Sequence, residues 1–282
     1  MLSKIRDVLN KNRIALSKYK SQNFIINTNI LTTELKAGEI NKNDEVVEIG
    51  AGIGTLTKLL AQNARKVIAI EKDKKFIEIL NEELSHFDNI EIINEDILKI
   101  NSEIFENRKI ISNPPYNISS PLVVKILESS YKLCVMTLQY EFARRLIAKP
   151  GSDDYSRLTV KALYNADIEL LNIIDRRNFY PAPKVNSVII RITPKRPTVE
   201  LENEELYFKI VNYLFNHKNQ QVQKVLKNKL RKAGIEIERI YKIIENLPHN
   251  NLRIRDLNHD QLKEIVDYLT NSNEDLKQCL NI

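Results

Sequence analysis

A chain of 282 residues with 43% hydrophobic and 28% charged side chains has the make-up of a globular protein with a core, split into one large domain or one medium and one small. No apolar run is long enough to cross a bilayer, and the opening MLSKIRDVLNKNRIALSKYKSQ lacks a signal-peptide core, so a cytoplasmic protein without a membrane partner is expected. The net charge of +6 gathers in two blocks, Lys4, Arg6, Lys11, Arg13, Lys18 and Lys20 against Asp7 alone, and Lys218, Lys224, Lys227, Lys229, Arg231 and Lys232 with no acid among them. Charge alone leaves two readings open, a polyanionic partner or two solvated helix faces.

The first block is compatible with a basic amphipathic helix. From residue 44 to about 140, short apolar runs alternate with helical patterns. EVVEIG, KVIAIE, IEIINED, RKIIS and KLCVMTLQY read as strands, and TLTKLLAQNA, KKFIEILNEEL and PLVVKILESS as helices between them. Strands rich in Ile and Val without polar alternation suit a sheet buried on both faces, so a parallel α/β sheet is predicted. IELLNII and SVIIRIT read as a terminal hairpin added to it. The prolines of TPKRPTV mark a linker, which divides the chain into 1–195 and a helical 196–282. In the tail, Leu206, Ile210, Val211 and Leu214 share one helical face, and Val222, Val225, Leu226 and Leu230 another. Asn258 followed by Gln261 predicts a capping box. Cys134 and Cys279 form no CxxC pair and the four histidines are scattered, so neither a disulfide framework nor a metal site is expected. No coiled-coil pattern calls for a dimer, and a monomer is expected.

Three features fall at successive strand ends. Gly50, Gly52 and Gly54 form a tight GxGxG turn that lets backbone approach a ligand. Glu71 closes the next strand, 21 positions after Gly50, where a carboxylate accepts ribose hydroxyls. Asp96 follows the third, where it can accept from an adenine amino group. NAD and S-adenosylmethionine both carry the adenosine that this frame suits. The glycine spacing and the fourth strand favour the methyl donor.

That fourth strand ends in Asn113-Pro114-Pro115-Tyr116, which looks like the [D/N]PP[Y/F] motif of amino-directed methyltransferases. An adenine amino nitrogen is a poor nucleophile because its lone pair is delocalised into the ring. The Asn113 side-chain carbonyl and the Pro114 backbone carbonyl can each accept one of its hydrogens, which favours a tetrahedral nitrogen. The prolines hold φ fixed, and Tyr116 can stack on the base.

With these residues in place, the chain resembles the KsgA-type ribosomal RNA adenine dimethyltransferases over residues 18 to 194, and less closely in the tail. KYKSQNFI resembles the segment that closes over the cofactor, and LQYEFARRLIAKPGSDDYSRLTVKALY and NFYPAPKVNSVIIRI resemble two further family segments. The resemblance implies a Rossmann-like methyltransferase sheet with a small all-helical C-terminal domain that binds RNA. It implies that Asn23, Ile25, Gly50, Gly52, Glu71, Asp96 and Asn113 contact S-adenosylmethionine, and that Phe179 faces Tyr116 across the target base. It implies dimethylation of two adjacent adenosines near the 3′ end of small-subunit ribosomal RNA, in the immature small subunit. Position 114 is proline where leucine or isoleucine is more usual, and the tail helix reads NHKNQQVQKVLKNKLRK in place of an Arg-Arg-Lys run. The alternatives are a large-subunit RNA methyltransferase, a non-catalytic assembly factor and a DNA adenine methyltransferase.

Overall fold

The computed structural model describes residues 1–14, 16, 22–197 and 199–271. Lys18, Lys20 and Cys279 lie outside the described residues. By packing, the chain forms two units, one from Met1–Arg144 and Asn165–Lys195, the other from Arg145–Tyr164 and the chain from Arg196 onward.

In the first unit the chain runs α1 (Leu2–Lys11), β1 (Phe24–Ile25), α2 (Thr28–Ala37), β2 (Glu45–Ile49), α3 (Thr55–Asn63), β3 (Lys66–Glu71), α4 (Lys74–Glu83), β4 (Ile90–Asn94), β5 (Lys109–Ser112), α5 (Ser119–Leu127) and β6 (Leu133–Gln139). After α6 (Tyr140–Leu146) and α7 (Arg157–Asn165) come β7 (Ala166–Ile174), β8 (Phe179–Tyr180) and β9 (Ser187–Pro194). Seven strands form one sheet in the order β4-β3-β2-β5-β6-β9-β7. β2 through β6 are parallel, while β9 runs antiparallel to both its neighbours, β6 and β7. The terminal hairpin read from the sequence is thus present. Strand order reverses between β2 and β5, and such a reversal opens a crevice beyond the carboxyl ends of the strands.

Burial explains the unbroken apolar runs. Val46, Val47, Val67, Ala69, Val135 and Met136 are almost entirely shielded from solvent, as a parallel sheet covered on both faces demands. In the first unit α2 and α4 start on side-chain caps, Asn27 accepting from Asn29 N and Asp73 from Lys75 N. α1 turns Ile5 and Leu9 against Ile53, Phe76 and Ile79, so the basic N-terminal helix has its apolar face covered. β1 and β8 form a separate two-stranded pair that joins Phe24 to Tyr180 and Ile25 to Phe179.

The second unit contains α8 (Glu204–Phe215), α9 (Val222–Lys232), α10 (Ile237–Glu245) and α11 (His259–Asn271). Its core gathers Ile210, Val211, Leu214, Val222, Val225, Leu226 and Leu230, with Leu206 packed at the edge. Gln261 N donates to Asn258 Oδ1 at 2.9 Å and Asn258 N to Gln261 Oε1 at 3.0 Å, a reciprocal capping box at the start of α11. Residues 145–164, which the linker reading assigned to the first domain, pack in this second unit instead. Tyr155, Val160 and Tyr164 join its core, and the Tyr155 hydroxyl donates to Leu257 O at 2.9 Å. No local signal in 145–164 announces that long-range burial. Among the described residues, no helix is long and apolar enough to cross a membrane.

Leu214→Ala, at a position fully shielded from solvent, should lower the unfolding free energy by about 2–5 kcal/mol. Asn228→Ala on the exposed face of α9 should change it by less than about 0.5 kcal/mol. Urea unfolding monitored by circular dichroism measures both, and equal effects would contradict this placement of the core.

Candidate active site

A cavity of about 640 Å³ opens at the carboxyl ends of the strands in the first unit, within the size range of small-molecule sites. Asn23, Ile25, Gly50, Gly52, Glu71, Asp96, Asn113, Pro114, Tyr116 and Phe179 all line it. The structure therefore brings these ten residues together, from segments as far apart as 23 and 179, while Gly54 of the glycine turn is not among the lining residues.

The glycine loop follows β2. Gly50, Gly52 and Gly54 adopt φ of +77°, +56° and +81°, a region that side chains enter only under strain. At Gly52 a Cβ would also stand 2.8 Å from Cε1 of Phe24, whose ring lies over the loop. Phe24 is held there by the β1–β8 pairing and by an edge contact with Phe76.

Glu71 is anchored by backbone. Gly52 N donates to its Oε2 at 2.9 Å and Asp73 N to its Oε1 at 2.8 Å, so one carboxyl ties the glycine loop to the end of β3. Burial pushes its pKa up, against those backbone donors. Asp96 behaves differently. Lys72 Nζ sits 2.7 Å from its Oδ2 and holds its carboxyl below the usual range, with Leu98 N donating to Oδ1 at 3.0 Å.

β5 ends beside β2, and Ser112 Oγ donates to Ile49 O at 2.7 Å across the two strand ends. Gly50 has Pro115 Cδ only 3.3 Å from where its Cβ would be. Asn113 Nδ2 donates to Glu34 Oε2 at 3.0 Å, whereas Asn113 Oδ1 is buried and accepts no hydrogen bond among the described residues. The Tyr116 hydroxyl shares a 2.6 Å hydrogen bond with Ser187 Oγ, and burial pushes the phenol up to about 12. It therefore stays neutral, and both Tyr116 and Phe179 line the cavity.

Sequence reasoning missed Phe24, Glu34, Glu48 and Thr137. Glu34 and Glu48 are fully buried acids, pushed by burial to about 7 and about 8. A signal existed for both: an acid three residues after Leu31 on an apolar helix stripe, and an acid inside the uninterrupted strand VVEI.

The residues present fit an adenosine-bearing methyl donor. Two strand-end acids stand where a ribose and an adenine would need acceptors, a glycine cradle leaves room for backbone approach, and the buried Asn113 Oδ1 lacks a donor. Among the described residues, no cluster of His, Cys, Asp or Glu could hold a metal ion.

A family model described as "Ribosomal RNA adenine dimethylase" matches residues 13–270. The chain is 41% identical over 266 residues to the Pyrococcus furiosus protein named "Probable ribosomal RNA small subunit methyltransferase A", covering 90% of this chain and 94% of the relative. A protein of the same name from Thermococcus sibiricus is 38% identical, covering 96% and 98%. Among solved structures, a dimethyladenosine transferase from Plasmodium falciparum superposes with a TM-score of 0.73 at 26% identity, covering 92% of this chain and 98% of that one. The 23S rRNA methyltransferase ErmE superposes at 0.64 with 28% identity, covering 88% and 99%.

The buried acids set a pH dependence of stability. With a folded pKa near 7 against an ordinary value of 4.5, Glu34 keeps its proton in the fold after the unfolded chain has lost it. Stability then falls as pH rises from about 4.5 to about 7, by roughly 3 kcal/mol for this group. Glu48 acts with the same sign up to about pH 8. Glu34→Gln should shrink the stability difference between pH 5 and pH 8 by roughly 3 kcal/mol in urea titrations. An undiminished difference would mean that Glu34 does not titrate as a buried acid.

Proposed function

The chain belongs to the ribosomal RNA adenine dimethylase family, and on that premise we propose that it dimethylates two adjacent adenosines near the 3′ end of small-subunit ribosomal RNA, with S-adenosylmethionine as methyl donor. The observation that carries this reading is the buried, partnerless Asn113 Oδ1 in the same cavity as Glu71 and Asp96. A buried acceptor without a donor costs about 1–3 kcal/mol. An exocyclic amino group presented to Asn113 relieves that cost, so the acceptor fits a substrate that brings N–H groups.

In this account Glu71 accepts from the ribose hydroxyls of the cofactor, and its two backbone donors hold the carboxyl in place beforehand. Asp96 accepts from the adenine amino group, with Lys72 keeping it ionised. Asn23 and Ile25 cover the cofactor from the β1 side, and Gly50 and Gly52 let the backbone approach it. When bound, the cofactor supplies a methyl group on a positively charged sulfur, already a strong electrophile.

The protein's task is then alignment. Asn113 Oδ1 and the Pro114 carbonyl accept the two amino hydrogens of the target adenine and draw its nitrogen towards a tetrahedral geometry. Tyr116 and Phe179 hold the base out of its stack, which is why an unpaired RNA segment suits the site better than a duplex. The proline at 114 keeps the carbonyl that this scheme needs.

The helical unit supplies the electrostatic part of the reading. Lys227 Nζ lies 5.0 Å from the ring of Tyr241 on α10 and Lys229 Nζ 5.2 Å from the ring of Tyr213 on α8, so two cations of α9 stand against aromatics of the flanking helices. Lys218, counted with this block in the sequence, instead donates to Asp153 O and Tyr155 O. It is occupied within the unit, and the remaining lysines are the phosphate ligands of this proposal. The protein acts as a monomer in the cytoplasm, on maturing small subunits.

Labelled methyl transfer to small subunits lacking the modification, followed by mapping, tests the reading. Dimethyl label on two adjacent adenosines near the 3′ end is expected; label confined to large-subunit RNA or DNA would overturn it. Asn113→Ala should lower kcat on the order of 100-fold while cofactor affinity stays within a few-fold, and an active variant would remove Asn113 from the chemistry. Replacing Lys224, Lys227 and Lys229 together with glutamine should weaken RNA binding and reduce the slope of log K against log salt by about 2. An unchanged slope would take α9 out of the RNA contact.

A further inference from the structure

Glu34 does not line the cavity; it stands behind Asn113. α2 carries it on its buried side with Leu31. The helix ends on Gly38, where a Cβ would stand 2.5 Å from Cδ1 of Ile111 on β5, so the helix end lies directly on the sheet. The fully buried carboxyl receives hydrogen bonds from Asn113 Nδ2, at 3.0 Å, and from Thr137 Oγ1 of β6.

An ionised carboxylate only accepts hydrogen bonds. It can receive the Asn113 side chain through Nδ2 alone, which commits Oδ1 to the opposite side, where it has no partner. A carboxylate pulling on the N–H end of an amide also strengthens the oxygen as an acceptor. A protonated Glu34 loses this discrimination, because its own O–H can donate to an amide oxygen. We propose that Glu34 is a positioning residue for methyl transfer, whose carboxylate acts through the Asn113 amide to fix Oδ1 as the acceptor for the target amino hydrogen. The inference rests on the role given to Asn113 in the preceding section.

The charge environment agrees. Burial raises Glu34 to about 7, and the Thr137 and Asn113 donors pull it back down. Among the described residues, Glu48 on β2 and the Tyr116 phenol after β5 feel its charge; burial pushes both up, and Glu34 adds to the rise. α3, packed beside α2, contributes Thr57 next to Glu48. Glu34 thus changes charge in the range where the enzyme would work, and its ionised form is the one that orients Asn113.

The test is kcat for methyl transfer to small subunits between about pH 5.5 and 8.5, with cofactor affinity measured in parallel. The wild type should gain rate with rising pH, with a midpoint near 7, while cofactor affinity stays flat. Glu34→Gln should flatten that limb and lower the plateau about tenfold, since a charge-assisted hydrogen bond becomes a neutral one. Thr137→Val, which removes a donor to the carboxylate, should move the limb to higher pH. Glu48→Gln should leave the limb in place. A Glu34→Gln enzyme with wild-type kcat and an intact limb would overturn the proposal, as would a limb that vanishes with Glu48 instead. Wild-type methylation in the same assay separates these outcomes from failure of the underlying reading, because an inactive wild type overturns both.

Discussion

The hydrogen bond from Ser112 Oγ to the Ile49 carbonyl joins the two strands between which the sheet reverses its order. Everything at the site depends on those two strand ends keeping their register, Ile49 opposite Ser112. One end continues into the glycine loop and the other into Asn113-Pro114-Pro115-Tyr116. A parallel sheet covered by helices on both faces frees its backbone groups only at such ends. The glycine loop proposed to cradle the methyl donor and the loop proposed to grip the acceptor can therefore lie side by side only there. Gly50 allows the contact, since Pro115 stands against the space a side chain would fill.

Around this junction the protein accepts electrostatic cost. Glu34, Glu48 and Glu71 are buried acids within one region, and burial raises the pKa of each. A core built for stability alone would place hydrophobic side chains there. Glu71 shows what the cost secures, because its two oxygens hold the glycine loop and the turn after β3 in one arrangement. Glu34 ties α2, β6 and the Asn113 loop together in the same way. Orientation, not acid–base power, is the common return. That agrees with a reaction whose electrophile needs little activation.

Much of this was legible in the sequence, for physical reasons. Apolar runs without alternation reveal buried parallel strands, so β2 to β6 could be read in order. Gly50, Glu71, Asp96 and Asn113 each stand at or just past the end of a strand, and strand ends in such a sheet converge whatever lies between them. The reciprocal cap of Asn258 and Gln261 is a local motif and was equally readable. What could not be read depends on distant contacts. Ile25 meets Phe179 through a two-residue pairing too short to carry a periodic signal. Residues 145–164 belong to the helical unit because Tyr155 and Tyr164 are buried there, and nothing local says so. Lys218 counts as a cation in the sequence but spends its hydrogen bonds on backbone carbonyls. Glu34 falls on the apolar stripe of α2 with Leu31, but its partners Asn113 and Thr137 come from distant strands and appear only once α2 is docked, with Gly38 against Ile111.

The central claim is that one cavity holds a methyl donor on the β2 and β3 ends and a target adenine on the β5 end. A crystal structure with S-adenosylhomocysteine and adenosine bound tests it most directly. The account predicts Glu71 oxygens at the cofactor ribose, and an adenine between Tyr116 and Phe179 with its amino nitrogen about 3 Å from both Asn113 Oδ1 and the Pro114 carbonyl. A nucleoside bound with that nitrogen turned away from Asn113, or a cofactor ribose remote from Glu71, would contradict it.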